Sequence, residues 1–295
     1  MSLPPQVFSD MQKISRRRFL RLTTSLGTLG LLASYPVFIE RNIILTNHYR
    51  LAVPHLPQAF SGLRIVHLTD LHYGPLVPLS LIRNVVERAN ALQGDLIVCT
   101  GDYVHRLKVS TQTAAEQVDA VWSVLSELAA PLGVFSVLGN HDHWAYTERS
   151  EYWLEQTGQG VQRKAVSIEK GGERLWLAGT GDYWEDPYNL DDVLGGLPAS
   201  DCRIVLAHNP DSADTDFSAR MDLMIAGHTH GGQVNIPGIG TPIVPVQNKD
   251  YTRGLVLSTK GQKVFISTGI GWANLPVRFN CYPEIAVLEL VPEKV

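Results

Sequence analysis

Five short apolar runs in this chain of 295 residues each end in side chains able to bind metal or move protons. "LRIVHLTDLH" (63–72) closes with Asp70 and His72, and "DLIVCTGD" (95–102) closes with Asp102. "GVFSVLGNHDH" (133–143) delivers Asn140, His141 and Asp142, "CRIVLAHNPD" (202–211) delivers His208, and "MDLMIAGHTH" (221–230) delivers His228 and His230. The set offers carboxylates, an amide oxygen and several imidazoles, with no thiolate. Mixed oxygen and nitrogen donors suit borderline divalent metals rather than a soft thiolate site or an all-oxygen calcium site. There are too many donors for one tetrahedral zinc. Two ions roughly 3.5–4 Å apart, bridged by a carboxylate and a hydroxide, would use them all, and such a pair serves in-line displacement at phosphorus. One histidine should stay unligated, to give a proton or hydrogen bond to the departing alkoxide.

These donors need a scaffold that brings five strand ends together. Runs this short, rich in aliphatic residues and closed by glycine or polar residues, read as buried strands. Between the first two, "LSLIRNVVERANALQ" repeats Leu81, Ile82, Val85, Val86, Ala89 and Leu92 at helical spacing behind a Ser80 N-cap. Between the second and third, "AAEQVDAVWSVLSEL" does the same with Val118, Val121, Trp122, Leu125 and Leu128. Strand–helix–strand alternation implies βαβ units, and open α/β sheets place their sites at the carboxyl ends of strands.

Composition narrows the function classes. The formal charge is −4, but residues 1–40 hold five basic and two acidic side chains, or +3, leaving −7 for the rest. An acidic body argues against a nucleic-acid polymer as partner, since that surface needs Lys and Arg. The three cysteines, Cys99, Cys202 and Cys281, have no metal-knuckle spacing, and Cys99 reads as a small buried apolar residue.

Taken in order, Asp-x-His, Gly-Asp, Gly-Asn-His-Asp, a strand-end histidine and Gly-His-Thr-His resemble the calcineurin-like metallophosphoesterase superfamily over about residues 60–290. The resemblance implies an α/β fold: a four-layer α/β/β/α sandwich of two mixed sheets flanked by helices, with a dinuclear site at strand carboxyl ends. The second sheet would come from "RLWLAGTGD", "RGLVLSTKG", "KVFISTGIG" and "EIAVLELV". Asp70, His72 and His230 would hold one ion and Asn140, His208 and His228 the other, with Asp102 bridging. His141 would be the unligated acid. The cofactors would be two divalent ions, manganese first and iron, zinc or nickel as alternatives. Many members continue Gly-Asn-His with Glu; here Asp142 stands in that place, where it would only orient its neighbours. "GDYVHRL" is similar to the "GDYVDRG" of Ser/Thr protein phosphatases, whose arginine grips phosphate, which makes Arg106 a candidate substrate contact. His105 replaces the second Asp of that motif.

The start of the chain reads as an address. "SRRRFLRL" (15–22) resembles a twin-arginine export signal, followed by a short apolar stretch diluted by Thr, Ser and Gly. No clean small-x-small cleavage site follows, so an uncleaved anchor stays open. The expected organisation is a signal or anchor over 1–40, a connecting segment over 41–60 and the metallophosphoesterase domain over 61–295. The expected partners are the twin-arginine machinery, a membrane or envelope surface and a phosphodiester, amphiphilic in one reading. The expected location is the periplasm or the outer face of the cytoplasmic membrane. "LAHNPD", "GHTHGGQ" and the signal resemble a bacterial membrane-associated branch that includes hydrolases of UDP-2,3-diacylglucosamine. The expected reaction is hydrolysis of a P–O bond in a lipid-linked or envelope phosphodiester or pyrophosphate by a metal-bridging hydroxide. Alternatives are a small-nucleotide phosphodiesterase and a non-catalytic binding module on the same fold.

Other residues divide by position. Strand alternation turns His67 away from the site, to be packed or hydrogen-bonded. His105 and His143 lie beside the site, and His48 and His55 read as surface residues. Asp182 and Asp211 fit turns as well as ligands. The loop "VNIPGIGTPIVPVQ" (234–247) is either a packed loop or an apolar flap facing lipid. Trp272 and Arg278 of "TGIGWANLPVRF" would line the same rim as substrate contacts.

Overall fold

A computed structural model describes residues 15–105 and 111–294. Helix α1 (Arg16–Phe38) begins where the Ser15 hydroxyl accepts the Arg18 N–H, 3.4 Å away. Strand β1 (Leu45–Val53) follows. Then β2 (Leu63–Leu68), α2 (Leu79–Ala91), β3 (Leu96–Cys99), α3 (Ala114–Leu125) and β4 (Val134–Ser136) form two strand–helix–strand units. Helix α4 (Asn140–Gln156) leads into β5 (Lys164–Lys170), β6 (Glu173–Gly179) and the short α5 (Leu190–Leu194). The chain closes with β7 (Cys202–Leu206), β8 (Leu223–Ala226), β9 (Gly254–Leu257), β10 (Lys263–Ile266) and β11 (Glu284–Pro292).

Two mixed sheets result, ordered β1-β11-β2-β3-β4 and β5-β6-β7-β8-β10-β9. In each, the strands that end in donors run parallel: β2, β3 and β4 in the first, β7 and β8 in the second. Period-two alternation sorts the side chains. Leu63, Ile65, Leu96 and Val98 enter the core between the sheets with Leu177, Ile204, Leu206 and Ile225. Val66, Leu68, Ile97 and Cys99 face outward against α2 and α3, where Ile82, Val85, Val121 and Trp122 are buried. Beyond the second sheet, Leu190, Val193 and Leu194 of α5 cover Val205, Met224 and Ile266. Each aliphatic side chain removed from water this way contributes about 1.5–3 kcal/mol. The four layers are those expected.

Three local expectations change. Strand β11, "EIAVLELV", lies in the first sheet between β1 and β2, not in the second. Its two faces are both apolar, so nothing in its own pattern encodes which sheet receives it. Residues 41–60 are more than a connection, because β1 pairs with β11 along Leu45–Val53 and Phe60 is fully buried. Ser80 lies inside α2, and Pro78, with φ −75°, occupies the cap without a side-chain bond. Helix α3 has a capping box instead: the Thr113 hydroxyl accepts the Glu116 N–H at 3.2 Å, and the Glu116 carboxylate accepts the Thr113 N–H at 2.7 Å.

The far end of α1 is built into the domain. Pro36 O accepts the Arg278 N–H at 3.1 Å, Tyr35 and Tyr282 share a hydroxyl contact of 2.8 Å, and buried Glu40 accepts the Cys281 N–H at 2.8 Å. Among the described residues, no helix is long and apolar enough to cross a membrane.

Candidate metal centre

The donors converge where the strands of both sheets end. Asp70, His72 and Asp102 follow β2 and β3, Asn140 and His141 open α4 just beyond β4, and His208, His228 and His230 follow β7 and β8. Sharp reversals aim them inward. Asp70, His72, Asp102, His228 and His230 all take φ between 51° and 68°, a left-handed conformation that non-glycine residues adopt only under constraint. Glycine clears the space between them. A Cβ on Gly139 would sit 2.3 Å from Asp102 Oδ1, and one on Gly227 would sit 2.5 Å from Asp70 Oδ2.

Two groups contain a carboxylate: Asp70, His72 and His230 make one, and Asp102, His208 and His228 the other, with the donor atoms of each within 4.8 Å of one another; an all-imidazole group joins His72, His105 and His141. Asp102 reaches both, its Oδ2 standing 3.2 Å from His208 Nε2 and 3.5 Å from His72 Nε2. Asn140 is buried beside them, and its Oδ1 has no hydrogen-bond partner; the same holds for Asp70 Oδ1. The imidazoles are held from behind. His208 Nδ1 lies 2.7 Å from Thr100 O and His228 Nε2 3.0 Å from Pro245 O, which leaves His208 Nε2 and His228 Nδ1 facing each other at 3.1 Å. Buried acceptors without donors, opposed to imidazole nitrogens, are a donor set that fits divalent cations.

Electrostatics follow from burial in so polar a pocket. Burial lifts the Asp70 carboxyl to about 6, with Asp102 adding to the rise. Burial also works against the Asp102 carboxylate, but His208 and His141 outweigh it and hold it well below its usual range. Burial presses His72 and His230 far down and His228 to about 3, which keeps these rings neutral, as ligation requires. His208 is opposed by burial yet lifted to about 10 by Asp102; a divalent cation held beside that carboxylate would take the place of the proton.

Asp142 orients the neighbouring backbone. Its carboxylate accepts the N–H groups of Asp102 (2.8 Å), Tyr103 (2.9 Å) and Gly139 (2.9 Å), tying the β3 and β4 ends together. The His141 N–H donates to Asp102 Oδ1 at 2.9 Å, while its ring stays partly open, edge-on to His72 at 4.7 Å and stacked on His105 at 4.6 Å. Trp144 packs against the same ring at 4.6 Å, and the ring stays partly open to meet a substrate.

Other candidates sort as follows. Arg106 lies outside the described residues. Trp272 and Arg278 are not on a rim: they are 2% and 0% exposed. Arg278 donates to the carbonyls of Thr268 (2.8 Å) and Gly271 (2.6 Å), stitching the 268–281 loop behind His230, and the Arg41 guanidinium covers Trp272 at 4.5 Å. A buried guanidinium needs many acceptors, and carbonyls supply them here instead of a phosphate. His67 is fully buried between the sheets, its Nε2 2.8 Å from the Thr100 hydroxyl. His143 meets Thr147 on its own helix, and His55 meets Asp222 at the surface. Asp182 and Asp211 accept turn N–H groups, those of Trp184 and Glu185 for the first and of Gln247 and Asn248 for the second. In the 234–247 loop, Ile239 and Ile243 are about three-quarters exposed while Val246 is buried. Two residues escaped the sequence reading: Trp144 packs on His141 at 4.6 Å and Trp184 on His228 at 4.5 Å. The position of Trp144 three residues after His141, on one helix face, was a usable signal.

Known proteins resemble this chain in sequence. The calcineurin-like phosphoesterase profile matches residues 63–232. Phosphodiesterase YaeI of Escherichia coli is 35% identical over 94% of this chain and 100% of its own length. The uncharacterized metallophosphoesterase YkuE of Bacillus subtilis is 30% identical over 95% and 99% of the two chains. The UDP-2,3-diacylglucosamine pyrophosphatase LpxG of Chlamydia trachomatis is 23% identical over 92% and 97%. With its strand ends gathered into two donor groups and the family profile spanning more than half its length, the chain belongs to the calcineurin-like phosphoesterases and is a metallophosphoesterase, a hydrolase of phosphoric esters.

Proposed function

We propose that this protein is a phosphodiesterase of the cell envelope, acting on a lipid-linked phosphodiester or pyrophosphate of the UDP-2,3-diacylglucosamine kind. The observation that carries the reaction is Asp102, whose carboxylate lies within 3.5 Å of imidazoles from both donor groups. Asp70, His72 and His230 would hold one divalent ion and Asn140, His208 and His228 the second, with Asp102 placed to serve both. When bound, the ions supply an activated water and neutralise the phosphoryl oxygens. His141 then gives a proton or hydrogen bond to the leaving oxygen. Asp142 and Thr100 keep the surrounding backbone and His208 in register. Manganese is the metal of first choice for this oxygen–nitrogen set, with iron, zinc or nickel as alternatives.

Substrate class and location rest on different features. YaeI is named a phosphodiesterase and LpxG a UDP-2,3-diacylglucosamine pyrophosphatase, and both span nearly this whole chain. Exposed Ile239, Ile243 and Leu275 support an amphiphilic substrate at a lipid surface. Arg16 and Arg17 direct twin-arginine export, which delivers the enzyme to the periplasm or the outer face of the cytoplasmic membrane.

The test couples metal analysis to a substrate panel of nucleotides, UDP-linked lipids, teichoic-acid-like diesters and glycerophosphodiesters, soluble and micellar. Preference for a micellar UDP-linked lipid is the expected result, and indifference to acyl chains would remove the lipid reading. Replacing Arg16 and Arg17 with Lys should hold the protein in the cytoplasm; unchanged export would remove the location.

A further inference from the structure

Two tryptophans stand open over the metal centre, one from each sheet's side. Trp144 lies one turn into α4 and is 52% exposed; Trp184 lies in the turn after β6 and is 42% exposed. Large apolar rings are seldom left in water without a purpose, and Trp122 and Trp272 of this chain are buried.

The pair is held in place. Trp144 Nε1 donates to Glu185 Oε1 at 2.7 Å, and the backbone N–H groups of Trp184 and Glu185 both donate to Asp182 Oδ1 at 2.9 Å. One indole rests on His141 and the other on His228, so the pair spans the mouth from the proton donor to a metal ligand. The two ring planes lie within 16° of parallel, with centroids 6.3 Å apart. That is the long end of aromatic pairing, roughly 4.5–7 Å, so neither ring seals the face of the other. Beside Trp184, a cavity of about 250 Å³ also touches Gln247 and Lys249. The Gln247 Nε2 donates one N–H to the Tyr183 hydroxyl at 2.9 Å, which orients the amide and leaves its second N–H and its carbonyl oxygen to read the edge of a heterocycle.

We propose that Trp144 and Trp184 form a stacking site for a planar heterocycle carried by the substrate, so that the scissile phosphoryl group belongs to a nucleotide-linked diester or pyrophosphate. This rests on the phosphodiesterase reading of the centre and names the recognised half of its substrate. Flat rings held in place, one by its indole hydrogen bond and the other by its turn and by packing on His228, recognise another flat ring, and stacking is nearly indifferent to which base is present. An acyl chain would instead find the aliphatic Ile239 and Ile243, on a different loop.

The experiment uses the full chain loaded with manganese and two diesters that share a methanol leaving group: the methyl diester of uridine 5′-monophosphate and that of glycerol phosphate. The wild type should prefer the nucleotide diester by about tenfold or more in kcat/KM. Trp144→Ala and Trp184→Leu should each reduce that preference about tenfold, mainly through KM, while Trp144→Phe keeps most of it. Equal wild-type use of the two diesters would overturn the stacking site, as would variants that slow both diesters alike. A second readout needs no variant: uridine 5′-monophosphate should quench the tryptophan fluorescence of the wild type and ribose 5-phosphate should not, and equal quenching would overturn the site. Hydrolysis without preference removes only the stacking site, whereas no metal-dependent hydrolysis of either diester removes the phosphodiesterase reading beneath it.

Discussion

His72 Nε2 and His230 Nε2 stand 2.9 Å apart although 158 residues separate them in the chain, with Asp70 Oδ1 3.3 Å from the latter. One comes from the first sheet and the other from the second, so this contact joins the two halves of the sandwich. A divalent cation held between these donors would satisfy all three at once.

Metal removal should therefore abolish activity and loosen the sheet junction together. Chelated protein is expected to show no hydrolysis of an activated diester and a lower Tm, with manganese restoring both. Asp102→Asn should lower the metal content measured by elemental analysis. Full activity in metal-stripped protein would remove the dinuclear reading.

His141 has a separate signature. His141→Ala should leave metal content near that of the wild type and lower kcat by about 10²–10⁴-fold. The loss should grow as the leaving group worsens, because a better leaving group needs no proton. A constant loss across a leaving-group series would argue against the proton-donor role.

Arg278 should behave as a structural residue. Arg278→Met leaves the carbonyls of Thr268 and Gly271 without donors, at a cost of about 3 kcal/mol in denaturant unfolding. In metal-saturated protein its KM should change less than about twofold. A large KM effect with unchanged stability would restore it as a substrate contact.

His67 should contribute to acid sensitivity. Burial lowers its pKa from 6.5 to about 3, so below pH 6.5 the unfolded chain takes up a proton that the folded chain refuses. The stability present above pH 6.5 is then lost as pH falls toward 3, by up to about 1.4 kcal/mol per pH unit. His67→Gln, which keeps a partner for the Thr100 hydroxyl, should show a shallower slope in denaturation measured across that window. An identical slope would show that other groups set the acid limit.

The centre was legible because its signals are local. A run of aliphatic residues followed by Asp-x-His or His-Thr-His marks both a strand and its end, and parallel strands put such ends on one edge. The alternation of β2 likewise turned His67 inward between the sheets, and Cys99 was recognisable as a small core residue.

Pairing over long separations was not legible. Strand β11 is apolar on both faces and fits either sheet by its own pattern; only its register with β1 and β2 sends it to the first. Trp272 and Arg278 lie close to the centre as foreseen, yet on its buried side, because Arg41 and the carbonyls of the 268–271 loop take their polar and aromatic surfaces. Trp144 and Trp184 come together across 40 residues through Glu185, a contact no spacing rule announces. The sequence by itself determined the donor types, their order and their position at strand ends, since these depend on neighbours in the chain. The tertiary structure decided which donors share a group and which aromatic rings face solvent, since packing between the two sheets fixes those distances.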